Sequence, residues 1–142
     1  MLSEFLNSEV DFLLVGAYAL AAHGYPRSTG DMGLWVRADE STGPRVYEAL
    51  QRFGAPLHNL DISDLCRPGI VFQMGLPPVR IDILTNLSGL LFEHAWVNRV
   101  KVKWDGLEIP VIGRNDLILN KRSTGRIKDL ADAEQLDQDE IA

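Results

Sequence analysis

Residues 14–36, LVGAYALAAHGYPRSTGDMGLWV, decide the fold of this chain. An apolar run ends just before Gly16, and glycine permits a turn there that a side chain would obstruct. The alanine- and leucine-rich segment 17–23 predicts a short helix. A second apolar run begins at Asp31 and predicts a second strand. Because alternate side chains of a strand share a face, Asp31 and Gly33 are expected on the same side of the sheet.

The same periodicities, followed outward from this stretch, predict the other elements. Helices are expected over 3–7, 17–23, 116–122 and 127–137, with helical turns at 62–66 and 90–95, and a further helix capped by Ser41 runs through 45–53 to Gly54. Strands are expected over 11–15, 31–37, 70–74, 79–84, 97–104 and 107–112. Short connections, such as Asp105 with Gly106, predict antiparallel hairpins. The sequence therefore predicts one mixed α/β (α+β) domain over residues 1–142, with helices flanking a largely antiparallel sheet.

Composition restricts the class of protein. The chain has 142 residues, with 14 Lys and Arg against 20 Asp and Glu, so its formal charge of −6 disfavours broad binding to a phosphate backbone. A local basic patch stays compatible with that charge. No apolar run approaches the roughly 20 residues that span a bilayer, and the first ten residues lack the features of a signal peptide. With Cys66 as the single cysteine, we expect a cytoplasmic protein that does not engage a membrane.

Two aspartates, Asp31 and Asp82, lie within strands otherwise made of apolar residues. Burying a carboxylate is costly without a cationic partner or a metal ion. Strand alternation places Arg80 and Asp82 on one face, so an alternative is a solvated face with an ordinary ion pair. Asp31 alone is equally typical of a loop or the first position of a strand. Local pattern leaves both interpretations open.

Three segments together resemble the nucleotidyltransferase superfamily, and among its members the small bacterial proteins akin to minimal nucleotidyltransferases and abortive-infection nucleotidyltransferase toxins. They are FLLVGAYALAAHGYPRSTGDMGLWV at 12–36, PPVRIDILT at 77–85 and VIGRNDLILNKRSTGRIKDLADAEQL at 111–136. The resemblance implies a nucleotidyltransferase-type mixed sheet flanked by helices. It also implies that Asp31 and Asp82 are the first and third carboxylates of a catalytic metal centre. The second carboxylate of that family falls at Gly33, where this chain has no side chain.

The resemblance further implies a reaction and a set of contacts. Two Mg²⁺ ions would bind a nucleoside triphosphate, and a nucleotidyl group would pass to a hydroxyl acceptor with release of pyrophosphate. The acceptor is a tRNA, a protein or a small molecule, and a partner protein of the toxin–antitoxin kind is a further expectation. The residues expected to contact the nucleotide are Gly16, Ala17, Arg27, Ser28, Thr29, Lys121, Arg122 and Lys128. Without the resemblance, the basic cluster near the C-terminus is typical of a solvated helix–loop–helix surface.

The glycine at position 33 leaves three functional hypotheses open. Loss of one of three carboxylates removes a bridging ligand and one negative charge, so nucleotide binding should survive better than turnover. The chain is then either an active or impaired nucleotidyltransferase, or a catalytically silent fold that acts as a binding or antitoxin-like regulatory partner. The third hypothesis is a purely structural α/β domain, which predicts no Mg²⁺-dependent nucleotide binding.

Overall fold

The computed structural model describes residues 1–25, 31–76 and 80–141, with side chains as far as residue 138. The helices are α1 (Leu2–Asn7), α2 (Gly16–Ala22), α3 (Thr42–Phe53), α4 (Phe92–Val97), α5 (Arg114–Thr124) and α6 (Ile127–Ile141), with a 3-10 turn at Ile62–Cys66. The strands are β1 (Phe12–Val15), β2 (Asp31–Val36), β3 (Val71–Met74), β4 (Arg80–Leu84), β5 (Val100–Trp104) and β6 (Leu107–Val111). Within these ranges, no helix combines the length and the apolar character needed to cross a bilayer.

The six strands form one mixed sheet in the order β3-β4-β2-β1-β6-β5. The predicted α+β class, with helices flanking a mixed sheet, is confirmed. The β1–β2, β3–β4 and β5–β6 pairs are antiparallel, whereas β2–β4 and β1–β6 are parallel. The antiparallel pairs join strands that follow one another in sequence. Short connections predicted the β3–β4 and β5–β6 hairpins, whereas the β1–β2 pair, which has α2 between its strands, was not predicted individually. The parallel pairs join strands separated by long crossovers, and local periodicity carries no signal for that pairing.

The parallel pairing of β2 with β4 fixes the polar face of the sheet. In its register Asp31 lies opposite Arg80, and Gly33 lies opposite Asp82. Paired residues of neighbouring strands share a face, so both aspartates lie on one side of the sheet. The two strands thus bring Asp31 and Asp82, which are distant in sequence, to neighbouring positions on one face of the sheet.

Strand β1 lies at the centre of the hydrophobic core. All four of its residues are buried, as are Leu34, Trp35 and Val36 of the neighbouring β2. A continuous apolar run is typical of a strand covered on both faces. On the helical side, Val46 and Leu50 of α3 are fully buried. The core therefore holds the central strands rigidly at the point where their polar ends form a site.

The helix ends correct several predicted boundaries. Ser41 was expected to cap α3, but its side chain makes no capping hydrogen bond, and Asp39 Oδ1 accepts from the backbone nitrogens of Ser41 at 3.1 Å and Thr42 at 2.6 Å instead. The predicted stop at Gly54 is confirmed by its left-handed backbone, with φ of 90°. Helix α5 runs on through Thr124 before it ends.

Candidate functional site

A cavity of about 570 Å³ opens at the polar ends of the central strands. Its walls are the Gly16 turn that joins β1 to α2, the shared polar face of β2 and β4, and the junction of α5 with α6. Gly16 has φ of 71°, a conformation that favours glycine and brings the backbone of the turn to the cavity wall. The elements predicted from the three sequence segments thus meet around a single cavity.

Arg80 joins the two candidate carboxylates. Its Nη2 lies 2.7 Å from Asp31 Oδ2 and 3.3 Å from Asp82 Oδ2, and its Nε lies 3.2 Å from Asp82 Oδ1. The side chains of Arg80 and Asp82 are 29% and 17% exposed, so these ion pairs are partly shielded from water. A guanidinium presents a planar fork of donors that suits this double contact. The two aspartates therefore converge, as predicted, and an arginine side chain lies between them.

Gly33 leaves little room for a side chain between Val15 and Leu84. A Cβ atom added at Gly33 would lie 3.1 Å from Val15 Cγ2, 3.6 Å from the Val15 carbonyl oxygen and 3.9 Å from Leu84 Cδ1. Carbon atoms in favourable contact are about 3.5–4.0 Å apart. The neighbours of Gly33 are therefore packed for a glycine, and a larger residue would require the Val15 side chain to move.

These residues do not fit the two-metal centre that the resemblance implies. Such a centre needs several carboxylate oxygens that bridge two ions. Gly33 supplies none, and both oxygens of Asp82 lie within 3.3 Å of Arg80. Across the described ranges, no group of three or more His, Cys, Asp and Glu side chains is placed to hold a metal ion. The site contains instead the half-buried guanidinium of Arg80.

The opposite wall of the cavity is an ion-pair network that joins α5 to α6. Lys121 is 7% exposed, and its Nζ lies 3.4 Å from Asp129 Oδ1 and 3.3 Å from Asp132 Oδ2. Asp129 Oδ2 also accepts hydrogen bonds of 2.7 Å from Thr124 Oγ1 and from Arg126 Nε. These contacts make Lys121 a connection between the two helices.

The pKa of Asp129 indicates whether this network stabilises the ionised carboxylate. Burial alone would raise the pKa, but the hydrogen bond from Thr124 and the positive charges of Lys121 and Arg126 outweigh it. The pKa of Asp129 consequently lies below its ordinary value. The network is stabilised in its ionised form at neutral pH.

Comparison with known proteins identifies the fold. No protein-family model and no curated protein matches the chain. Among solved structures, the crystal structure of a candidate nucleotidyltransferase from Thermotoga maritima is similar, with a TM-score of 0.55 over 96% of this chain and 85% of that chain, at 15% sequence identity. This chain has a nucleotidyltransferase-type fold. The fold predicted from the three segments is confirmed, while membership of the superfamily and the resemblance to toxins stay predictions.

Four of the eight residues predicted to bind nucleotide line the cavity, namely Gly16, Ala17, Lys121 and Lys128. Asp31 and Asp82, which were predicted to hold metal, line it as well. Arg122 is not among the described residues of the lining, and its Nη2 pairs with Asp137 Oδ2 at 2.9 Å. Arg27, Ser28 and Thr29 fall outside the described residues, so their predicted roles are untested.

Sequence reasoning did not single out Arg80 and Asp132 as components of the site. The spacing of Asp129 and Asp132 by three residues places both on one face of α6, which was a usable signal. The double contact of Arg80 required the parallel register of β2 and β4, which no local pattern contains. The sequence therefore located the carboxylates but not the group that lies between them.

Proposed function

We propose that this chain is a nucleotide-binding protein of nucleotidyltransferase-type fold that is catalytically silent. One observation carries the proposal. The guanidinium of Arg80 is bonded to both aspartates expected to hold catalytic metal, while Gly33 supplies no third carboxylate. A cation is thus already present where the reaction would need a metal ion.

The cavity supports the binding half of the proposal. Ligand pockets in proteins typically have volumes of about 300–1,000 Å³, and the volume here is about 570 Å³. Arginine and lysine side chains in its wall suit phosphate oxygens, and the side chains of Asn86, Ser88 and Asn120 add neutral polar groups. This combination of charged and neutral polar groups suits a ligand with both a phosphate and a base.

The same wall lacks what nucleotidyl transfer requires. The attacking hydroxyl must lose its proton and the leaving pyrophosphate must be stabilised, and in the two-metal mechanism both tasks depend on cations held between three carboxylates. Here Asp31 and Asp82 already neutralise Arg80. We therefore expect binding without turnover, and a role as a binding or regulatory partner.

A second candidate function is active nucleotidyl transfer from an Mg²⁺-bound nucleoside triphosphate to a hydroxyl acceptor. It is favoured by the convergence of Asp31 and Asp82 on one face of the sheet, close enough to share one cation. The active enzyme would need an acceptor, which would be a tRNA, a protein or a small molecule. The silent protein would instead have a partner of the toxin–antitoxin kind. Both stay predictions from the resemblance.

One pair of assays separates the two functions. Nucleotide binding is measured by calorimetry with the four common nucleosides as mono- and triphosphates. Pyrophosphate release is measured with Mg²⁺ and with bulk tRNA, mixed protein or nucleosides as acceptors. The silent protein binds at least one nucleotide and releases no pyrophosphate above the background of the Asp82→Asn variant. Release by the unmodified chain, absent in that variant, would establish the active enzyme instead.

A further inference from the structure

We propose that Arg80 is the resident cation of this cavity and that the chain binds nucleotides of low phosphate charge without a divalent metal ion. The inference rests on the proposed nucleotide binding and adds its charge preference and its independence of metal. It is drawn from the contacts of Arg80 and from the balance of charge in the cavity wall.

The guanidinium of Arg80 has one nitrogen, Nη1, that makes no hydrogen bond to the two aspartates. Nη2 donates hydrogen bonds to both aspartates, and Nε lies within ion-pair distance of Asp82 Oδ1 without a hydrogen bond to it. No hydrogen bond joins Nη1 to a residue in the described part of the chain. A guanidinium carries five N–H donors, so two of them belong to Nη1. Because the aspartates hold the plane of the group, Nη1 is positioned in advance to donate to a phosphate oxygen.

A divalent ion would have to displace that arrangement. Both oxygens of Asp82 are within 3.3 Å of Arg80, and Asp31 Oδ2 is 2.7 Å from it. Mg²⁺ requires near-octahedral oxygen ligands at about 2.0–2.1 Å, and no third carboxylate adds to these two at Gly33.

The charges in the cavity wall limit how much phosphate the site accepts. Among the described residues of the lining, Arg80, Lys121, Arg126 and Lys128 are balanced by Asp31, Asp82, Asp129 and Asp132. Each phosphate added to a ligand brings negative charge that the described part of this wall does not offset. A nucleoside monophosphate therefore suits the cavity better than a triphosphate.

The unmodified chain provides the main test. Affinities for nucleoside monophosphates and triphosphates are measured by calorimetry in EDTA and again in excess Mg²⁺. We expect monophosphate affinity to agree within about twofold between the two buffers, and triphosphates in EDTA to bind about tenfold more weakly than monophosphates. A loss of about tenfold or more when EDTA replaces Mg²⁺ would overturn the inference while leaving nucleotide binding intact. No binding in either buffer would overturn the proposed function itself.

An arginine variant tests the role of the guanidinium. Arg80→Gln should weaken metal-free monophosphate binding by about tenfold or more, since a charge-assisted hydrogen bond is lost. Arg80→Lys, which keeps the charge without the fork, should lose less. The matched control is Arg52→Gln, which breaks an exposed ion pair with Glu48 on α3 and should bind as the unmodified chain does. Unchanged binding in a folded Arg80→Gln variant would refute the assignment, and thermal unfolding shows whether the variant is folded.

Discussion

At the scale of single residues, Gly33 and Arg80 decide what this site does. Gly33 faces Asp82 across the β2–β4 pair, at the position where a second carboxylate of β2 would join Asp31 and Asp82. Its neighbour Val15 has packed to within 3.1 Å of where a Cβ would be. The absence of the carboxylate is thus accompanied by packing that suits glycine, and the guanidinium of Arg80 pairs with both Asp31 and Asp82.

Replacement of this glycine should make stability depend on metal. In Gly33→Asp, a third carboxylate beside Asp82 adds like-charge repulsion, and its Cβ presses on Val15, for a loss of about 1–3 kcal/mol in the free energy of unfolding. Mg²⁺ should recover part of that loss, because three carboxylates form a plausible cation site. The measurement is urea unfolding with and without Mg²⁺.

Two further variants separate charge from packing in this prediction. Gly33→Asn adds a side chain of similar size without the charge, so its stability should not respond to Mg²⁺. Val15→Ala combined with Gly33→Asp should cost less unfolding free energy than the sum of the two single changes, because the smaller side chain relieves the contact with the new Cβ. Equal Mg²⁺ responses of the Asp and Asn variants would show that the metal does not act at this position.

At the scale of elements, the junction of α5 and α6 depends on a buried lysine. Lys121 is 8% exposed at its side chain, and its partners Asp129 and Asp132 are 11% and 3% exposed. Removal of one partner from a buried ion pair leaves uncompensated charge, which is strongly destabilising. Lys121, Asp129 and Asp132 also line the cavity. The packing of the last two helices therefore affects the shape of the site.

Substitution of Lys121 should therefore lower the free energy of unfolding far more than substitution of the exposed Lys128. We expect Lys121→Met to lose about 3–5 kcal/mol of unfolding free energy. Lys128→Met, the matched control on an exposed part of α6, should change it by no more than about 0.5 kcal/mol. Urea unfolding followed by circular dichroism measures both. Similar losses in the two variants would contradict a structural role specific to Lys121.

The lowered pKa of Asp129 predicts how this junction responds to acid. A carboxyl group whose pKa is lower in the folded state stabilises the fold above its ordinary pKa of 3.8, and that stabilisation is lost as pH falls below it. As the pH falls from about 5 to about 3, the unmodified chain should lose more unfolding free energy than the Asp129→Asn variant, because asparagine at position 129 does not titrate. Equal losses in the two chains would mean that Asp129 is not a source of acid sensitivity.

Local sequence determines some of the turns and helix ends of this chain. The hairpin through Asp105 and Gly106 was predictable because both residues adopt positive φ, at 51° and 78°, as the turn type requires. The end of α3 at Gly54 was predictable for the same reason. Asp39 as the cap of α3 was missed because its contacts depend on the path of the preceding loop. Propensity and turn chemistry are local, and where they dominate, the prediction succeeds.

At the scale of the whole molecule, the site arises from pairings that are distant in sequence. The α+β class and the positions of Asp31 and Asp82 were predictable from residue patterns and resemblance. The parallel register that sets Asp31 beside Arg80 was not, because parallel strands are brought together by long crossovers and by the packing of the core. Arg80 therefore looked like a surface residue next to Asp82, although it joins both carboxylates.

The central claim is that this site carries its own cation and holds no divalent metal at Asp31 and Asp82. Its most direct test is a Mn²⁺ titration of the unmodified chain, with free Mn²⁺ measured by electron paramagnetic resonance. We predict that the signal of free Mn²⁺ stays undiminished with the unmodified chain and falls with the Gly33→Asp variant. Stoichiometric binding of Mn²⁺ by the unmodified chain, abolished by Asp82→Asn, would contradict the account.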